Sequence, residues 1–247
     1  MKKKTYDIIY SIGYDCSCAL YIKETGLRLT SGPFDWLTHA SFEERFAALL
    51  NEFDDFFNIK DFKKIEKTDH IHDHYENIRT GFYFYHDFAA GLPIEKTLYD
   101  VQQKYSRRIK RFYKNIIENQ KVLLIFLSQY TDTPNDKIEK LCTEFCKKIN
   151  KNIDFLIIEH KSQVDSIQKI SIKPNILKYN ANIVSFDNEN KPSLFGNRKV
   201  CEEIFKQYQL PFKHRIVKKI SRLLARIILP FAFSKKVKKK IKARLRR

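Results

Sequence analysis

The chain has few of the residues that break regular structure or cross-link small folds. Its 6 Gly and 7 Pro in 247 residues exclude collagen-like and linker-rich chains and argue against an all-β fold with many turns. Its 5 Cys are odd in number and too sparse for a disulfide framework, so we expect reduced thiols in the cytoplasm. No apolar run approaches the ~20 residues of a membrane-spanning helix, and the first residues do not resemble a signal peptide.

Several sequence motifs of common enzymes are also missing. The chain has no Gly-rich phosphate loop, no dinucleotide-binding fingerprint and no Gly-x-Ser-x-Gly elbow. These absences argue against nucleotide-driven chemistry and against a serine hydrolase. The sequence therefore predicts no cofactor.

Positive charge is abundant, and it is concentrated at one end. The net charge is +18, but residues 214–247 carry 14 Lys and Arg and no acid, which leaves +4 for residues 1–213. Between these cations, apolar residues recur at steps of three and four, as on one face of a helix: Ile216, Ile220, Leu223, Leu224, Ile227 and Ile228.

We interpret residues 213–247 as a basic amphipathic helical tail that binds an anionic membrane surface. The expected location is cytoplasmic, peripheral to the inner membrane. A helix packed on the body, a calmodulin-type partner helix and a nucleic-acid-binding tail are the alternatives. Nucleic acid is the least favoured, because phosphate binding does not require an apolar stripe.

Residues 1–212 read as one α/β domain. Short apolar runs predict strands at residues 6–12, 81–88, 122–127, 155–158 and 183–186. Periodic segments predict helices at residues 16–24, 94–118, 136–149 and 200–208, and Ser41 with Glu44 forms a capping box before another helix. This alternation predicts a layered fold with a mainly parallel central sheet flanked by helices.

Cys16 is the candidate nucleophile. It follows the first strand and Gly13 and begins a helix, where free backbone N–H groups lower a thiol pKa and can hold an oxyanion. A buried Cys that only packs is the alternative, and Cys18 is expected to pack.

His86 is the candidate base, since a nucleophilic Cys needs one, with Asp87 or a remote acid as its orienting group. A core histidine is the alternative. Asp35, in a Pro-Phe-Asp-Trp turn, is a third unusual polar group, and an acceptor that fixes this turn is an equal interpretation.

Five short blocks follow the order of one known family. They are Ser11-Ile12-Gly13-x-x-Cys16, Gly26-Leu27-Arg28, Pro33-Phe34-Asp35-Trp36, His86-Asp87-Phe88 and Lys104-Tyr105-x-Arg107-Arg108-Ile109-x-Arg111. Over residues 6–190 the chain resembles an uncharacterised bacterial family of papain-like cysteine peptidases, whose peptidase activity is itself an inference. It departs from that family at Tyr14-Asp15, where smaller polar residues are typical, and in its basic tail.

The resemblance implies a Cys/His site at Cys16 and His86. We assign catalysis to Cys16, His86 and Asp35 and substrate binding to Gly13, Asp15, Arg28 and Arg108. Asp187 and Asn188 are further candidates for orienting the base. Members of the family accompany cell-surface polysaccharide enzymes, which implies a hydrolase or acyltransferase in envelope polysaccharide metabolism. Its substrate would bear an acyl or peptide group that can be linked to a glycan.

Two other functions stay open. A non-catalytic scaffold or binding module of a polysaccharide assembly system is the main alternative. A metal-dependent hydrolase is a distant third, because His70, His72 and His74 would share one face of a strand. We predict no metal, since this stretch is polar and turn-like, and Cys142 and Cys146 lack a second pair of ligands. Arg107, Arg108 and Arg111 can bind an anion or form a solvated face.

Overall fold

A computed structural model describes residues 3–214 except residues 55, 67–68, 187–189 and 192. Asp187, Asn188 and all but the first two residues of the predicted tail thus lie outside the described residues. The strands are β1 (Lys4–Thr5), β2 (Ile8–Ser11), β3 (Leu37–Thr38), β4 (Phe62–Lys64), β5 (His72–Asn77), β6 (Phe82–Ala89), β7 (Val122–Ser128), β8 (Asp154–His160), β9 (Gln168–Lys173), β10 (Ile176–Ala181) and β11 (Tyr208–Gln209). The α-helices are α1 (Cys16–Glu24), α2 (Phe42–Leu50), α3 (Ile94–Glu118), α4 (Asn135–Ile149) and α5 (Arg198–Phe205).

The strands form three sheets. The largest has the order β2-β7-β8-β10-β9, in which β2, β7, β8 and β10 run parallel and β9 is an antiparallel edge. The second, β3-β6-β5-β4, is antiparallel throughout. The third pairs β1 with β11.

The predicted α/β class is confirmed, but the expectation of one mainly parallel central sheet is wrong. The strands are divided among a mixed sheet, an antiparallel sheet and a two-stranded sheet. The antiparallel sheet is inserted between β2 and β7, and its aromatic strand β6 pairs locally with β5 rather than joining the central sheet. The predicted strand at residues 183–186 is also wrong, whereas β9 and β10 form a hairpin that was not predicted.

The central sheet separates two hydrophobic clusters. Alternate residues of β7 face opposite sides: Leu124 and Phe126 join the first cluster, and Leu123 and Ile125 join the second. Burial on both faces explains the continuous apolar run in this strand. Helices α2, α3 and α4 and the antiparallel sheet contribute to the first cluster, and α1 and α5 contribute to the second.

Local signals define the helix starts. Asp15 caps α1 by accepting a hydrogen bond from the N–H of Ser17 at 2.8 Å. The predicted capping box of α2 is confirmed, because Ser41 and Glu44 exchange hydrogen bonds of 3.2 and 2.6 Å. None of the helices in the described part of the chain has the length and hydropathy of a membrane span.

Candidate active site

Cys16 lies at the carboxyl edge of the central sheet. After β2, the chain continues along β7, where the N–H of Tyr14 donates to the carbonyl of Leu127 at 3.0 Å, and then turns into α1. Gly13 permits this turn, because a Cβ there would lie 2.4 Å from Cβ of Cys18. Cys16 is therefore the first residue of α1, the position that the sequence predicted for it.

The thiol of Cys16 is protonated in this environment. Its residue is only 8% exposed, and burial together with the charge of Asp15 raises the pKa of Cys16 to about 11. The nearby backbone N–H of Cys16 lowers the thiol pKa, but by less than burial and Asp15 raise it. The structure thus differs from the expected low thiol pKa, because the sequence did not reveal how deeply this helix start is buried.

A pocket of about 570 Å³ opens beside Cys16. Cys16 and Asp15 line it from α1, and His86 lines it from β6. The structure therefore brings together the two residues that were predicted as nucleophile and base. Among the described residues, no hydrogen bond joins Sγ of Cys16 to an imidazole, so in this state the thiol and the ring of His86 share a pocket without direct contact.

A bulge in β6 positions His86. His74 of β5 is opposite three residues of β6, residues 85–87, because the register shifts between the pairs Asp73–Phe88 and Tyr75–Phe84. Such a bulge re-aims side chains, and bulges are enriched next to active sites. The exposed ring of His86 packs edge-on against Trp36 and His72, with ring centroids 5.6 and 5.8 Å away. Burial and the neighbouring His72 lower its pKa, so the ring is a neutral proton acceptor near pH 7.

A second imidazole, His39, lines the same pocket and was missed by the sequence interpretation. The backbone N–H of His39 donates to the carbonyl of Tyr14 at 3.0 Å, and the φ of His39, 69°, lies in the left-handed region. The Pro-Phe-Asp-Trp block ends three residues earlier, but no sequence signal indicated this backbone conformation. Tyr85, Tyr130 and Leu194 complete the pocket walls, and Tyr14 packs against Tyr130 with ring centroids 5.3 Å apart.

Asp69 and His74 line the β5 side of the pocket, and His72 lies beside Asp69. Asp69 accepts N–H bonds from Ile71 and His72, which hold the pKa of its carboxyl well below the usual range. Its Oδ2 lies 3.5 Å from Nδ1 of His72 and from Nε2 of His74. His70 is exposed and precedes the strand. In the part of the chain that the structure describes, no cluster of three or more His, Cys, Asp or Glu can hold a metal ion.

Asp35, Arg28 and Arg108 are not among the described residues that line the pocket. Asp35 is buried and accepts hydrogen bonds from Nη2 of Arg28 at 2.5 Å and from the N–H of Gly32 at 3.2 Å. The guanidinium of Arg108 lies 5.3 Å from the ring centroid of Tyr105, and its charge acts on Asp35. These contacts stabilise the turn before β3. The catalytic and substrate-binding roles of the three residues stay predictions.

Asp87 does not orient His86. Its carboxylate binds Nζ of Lys104 and accepts a hydrogen bond of 2.8 Å from the hydroxyl of Tyr105, and its side chain is 1% exposed. The carboxylate is thus committed to α3, while the His86 ring is exposed on the opposite side of the strand.

Comparisons with known proteins agree with the blocks noted in the sequence. A family model described as "Putative papain-like cysteine peptidase" matches residues 7–162, more than half of the chain. An uncharacterised protein of Acanthamoeba polyphaga mimivirus is 24% identical over 202 residues, which cover 69% of this chain and 86% of that protein. No solved structure is significantly similar to the chain. The family match includes Cys16, His39 and His86.

Proposed function

The chain belongs to the family described as "Putative papain-like cysteine peptidase", and from that membership we propose that it is a cysteine hydrolase with Cys16 as nucleophile. The observation that carries this proposal is the pocket itself, in which a thiol at a helix N-terminus and imidazoles from three other segments converge. A nucleophile, a base and a backbone N–H donor are the parts that acyl transfer to a cysteine requires.

The mechanism begins with a neutral thiol and a neutral imidazole. Because burial favours the protonated thiol and the uncharged ring, Cys16 gives its proton to the imidazole as Sγ attacks the acyl carbon. The backbone N–H of Cys16, which already lies near Sγ, can donate to the developing oxyanion. The imidazolium then protonates the leaving group, and water releases the acyl group from sulfur.

The substrate that we propose carries an acyl or peptide group, and a glycan-linked acyl group is the more specific form. The aromatic walls at Tyr14, Tyr85 and Tyr130 suit the apolar face of a sugar ring or of a planar group. Release of the acyl group to a sugar hydroxyl instead of water would make the same chain an acyltransferase in envelope polysaccharide metabolism.

Replacement of the nucleophile tests the proposal. With p-nitrophenyl acetate as probe, we expect Cys16→Ser to reduce turnover by about 10³-fold or more, because the weaker nucleophile gains no compensating base. The intact wild-type protein should carry one acetyl group on Cys16 after brief exposure, as measured by peptide mass spectrometry.

Cys146→Ser is the matched control, because Cys146 is partly buried on α4 and does not line the pocket. It should retain wild-type turnover. Unchanged turnover in the Cys16→Ser variant would refute the hydrolase proposal.

A non-catalytic binding module is the second candidate, and one observation favours it. Cys16 is 8% exposed and its pKa is raised, so the thiol resembles a packed cysteine more than a preformed thiolate. In that case the pocket of about 570 Å³ would hold a ligand without reacting with it.

We further propose that residues 213–247 hold the protein at an anionic membrane surface, on the cytoplasmic side of the inner membrane. What supports this is the sequence, with its 14 cations and apolar helical stripe between residues 214 and 247. Each Lys or Arg near such a surface contributes about 1 kcal/mol before salt screening.

Vesicle binding tests the membrane proposal. The full chain should cosediment with vesicles that contain phosphatidylserine, and removal of residues 214–247 should release it without unfolding the body, as judged by circular dichroism. A control that replaces Ile220, Leu224 and Ile227 by Ser keeps every charge and should weaken binding through the apolar face alone. Equal binding by the truncated and full chains would contradict the proposal.

A further inference from the structure

His39 is adjacent to the nucleophile through its backbone as well as its side chain. Its N–H donates to the carbonyl of Tyr14 at 3.0 Å, two residues before Cys16. Its ring lines the same pocket as Cys16 and lies 5.8 Å from the ring of Tyr14, measured between centroids. No other histidine among the described residues has a backbone hydrogen bond to residues 14–16.

The backbone at His39 is held in a strained conformation. Its φ of 69° is uncommon for a residue with a Cβ, and such outliers concentrate at functional sites. The fully buried Arg45 stabilises this backbone conformation. Its guanidinium donates to the carbonyls of Tyr14, Leu37 and Ala40 at 2.7, 3.0 and 3.1 Å, and thereby ties the His39 loop to the segment before Cys16.

A hydrogen bond also fixes the ring of His39. Nδ1 lies 2.8 Å from Oγ1 of Thr38, a buried hydroxyl, so Nε2 is the nitrogen left to accept a proton. This role requires the tautomer in which Nδ1–H donates to Oγ1. The charged and titratable groups that face the ring are Asp15, Arg45, Glu76, Tyr14, Tyr83 and Tyr85.

His86 lacks these constraints. Its exposed ring packs against Trp36 and His72, and no hydrogen bond in the described part of the chain fixes its tautomer. The charges that act on it come from residues of β5, β6 and the segment before β5, whereas the first opposing charge for His39 is Asp15, the neighbour of Cys16.

We propose that His39 is the general base for Cys16, a role that the sequence assigned to His86. This inference rests on the proposed hydrolase function. As Sγ bonds to the acyl carbon, the thiol proton passes to Nε2 of His39. The same proton then leaves with the departing group as the carbon–leaving-group bond breaks. His39 next takes a proton from the attacking water and returns it to Sγ as the thioester is cleaved, which regenerates the thiol.

The pH dependence of Cys16 alkylation distinguishes the two imidazoles. The full chain is treated with iodoacetamide, and modification of Cys16 is followed by peptide mass spectrometry. With a neutral imidazole as base, the wild-type rate should rise with increasing pH through an inflection below 6.5, because burial lowers the pKa of His39 from its ordinary value, and it should rise again near pH 11 as the thiolate forms.

His39→Asn should remove the first rise and reduce the rate at pH 7 by about 10²-fold or more. Asn tolerates the left-handed backbone and keeps a side-chain N–H donor for Oγ1 of Thr38, so this variant preserves the loop, and its thermal unfolding should match the wild type. His86→Gln should keep the first rise. His160→Gln is the matched control, since His160 accepts an N–H bond from Ile183 outside the pocket.

The opposite pattern, with the first rise lost in His86→Gln and kept in His39→Asn, would overturn the assignment. Loss of the first rise in both variants would contradict a role for His39 as the sole base. If p-nitrophenyl acetate turnover requires Cys16 but survives His39→Asn, the base is another group while the hydrolase function stands. If the wild-type rate rises only near pH 11 and Cys16→Ser keeps turnover, both the assignment and the proposed function fail.

Discussion

At the scale of single residues, the reactivity of Cys16 depends on a competition between two neighbouring effects. A helix N-terminus favours a thiolate, whereas burial and an adjacent carboxylate favour the thiol. Burial and the carboxylate prevail here, and together they raise the pKa of Cys16 to about 11. The carboxylate is Asp15, which also caps the helix, so one side chain stabilises α1 and holds its first residue protonated.

Asp15→Asn separates these two roles. The amide oxygen can still accept the N–H of Ser17, so the cap is retained, but the negative charge is lost. We expect the pKa of Cys16 to fall from about 11, because the charge of Asp15 is, after burial, the second cause that raises it. The measurement is the upper inflection of the alkylation rate against pH.

Asp100→Asn is the control for this prediction. Asp100 is exposed on α3, and its replacement removes the same charge away from the pocket. An upper inflection that stays at its wild-type position in Asp15→Asn would mean that burial alone sets the thiol pKa.

At the scale of elements, the sequence predicted those whose signals are local. Helix α1 begins at Cys16, is capped by Asp15 and ends at Glu24, before Gly26, and the predicted bounds of α3 are those observed. The hairpin β9–β10 was missed because its residues do not form an apolar run: β9 is largely exposed, and β10 contains the buried Lys178. The strand at residues 183–186 was predicted from a short apolar run, but Ile183 packs in the second cluster and belongs to no strand.

The same distinction applies to the candidate site. Cys16 was locatable because a strand, a glycine and a helix start are adjacent in the sequence, and His86 because it interrupts an aromatic strand. His39 was not locatable, since its conformation depends on Arg45, whose partners lie 5, 8 and 31 residues away along the chain. The bulge that exposes His86 likewise depends on the pairing of β5 with β6, which local patterns do not specify.

At the scale of the whole molecule, the pocket forms where the antiparallel sheet meets the carboxyl edge of the central sheet. Crevices at that edge are where ligands bind in α/β folds. Tyr130 lies there on the loop after β7, and Gln129 ties the neighbouring segment by donating to the carbonyls of Ser193 and Leu194 at 3.0 and 3.1 Å. The pocket therefore depends on how this loop is held against the sheet.

A buried ion pair holds the loop in place. Glu159, at the end of β8, lies 2.8 Å from Nζ of Lys178 on β10 and accepts hydrogen bonds from Thr131 and Thr133 on either side of Asp132. Nζ of Lys178 also donates to the carbonyl of Thr133 at 2.8 Å. Both charged side chains are almost fully buried, and Glu159 depends on Lys178 for charge compensation, whereas Nζ of Lys178 also lies 3.1 Å from Oδ1 of the exposed Asp132.

Lys178→Met should lower the free energy of unfolding by about 3–5 kcal/mol, because it leaves Glu159 buried without its partner charge. The double variant Lys178→Met/Glu159→Gln should recover part of this loss, since Gln keeps acceptors for the two threonines and carries no charge. Lys161→Met is the matched control: Lys161 is exposed and pairs with Asp132 at 3.5 Å, so its loss should cost at most about 1 kcal/mol. Urea denaturation measures all three. If Lys178→Met costs no more than Lys161→Met, the buried pair does not hold the loop that carries Tyr130 into the pocket.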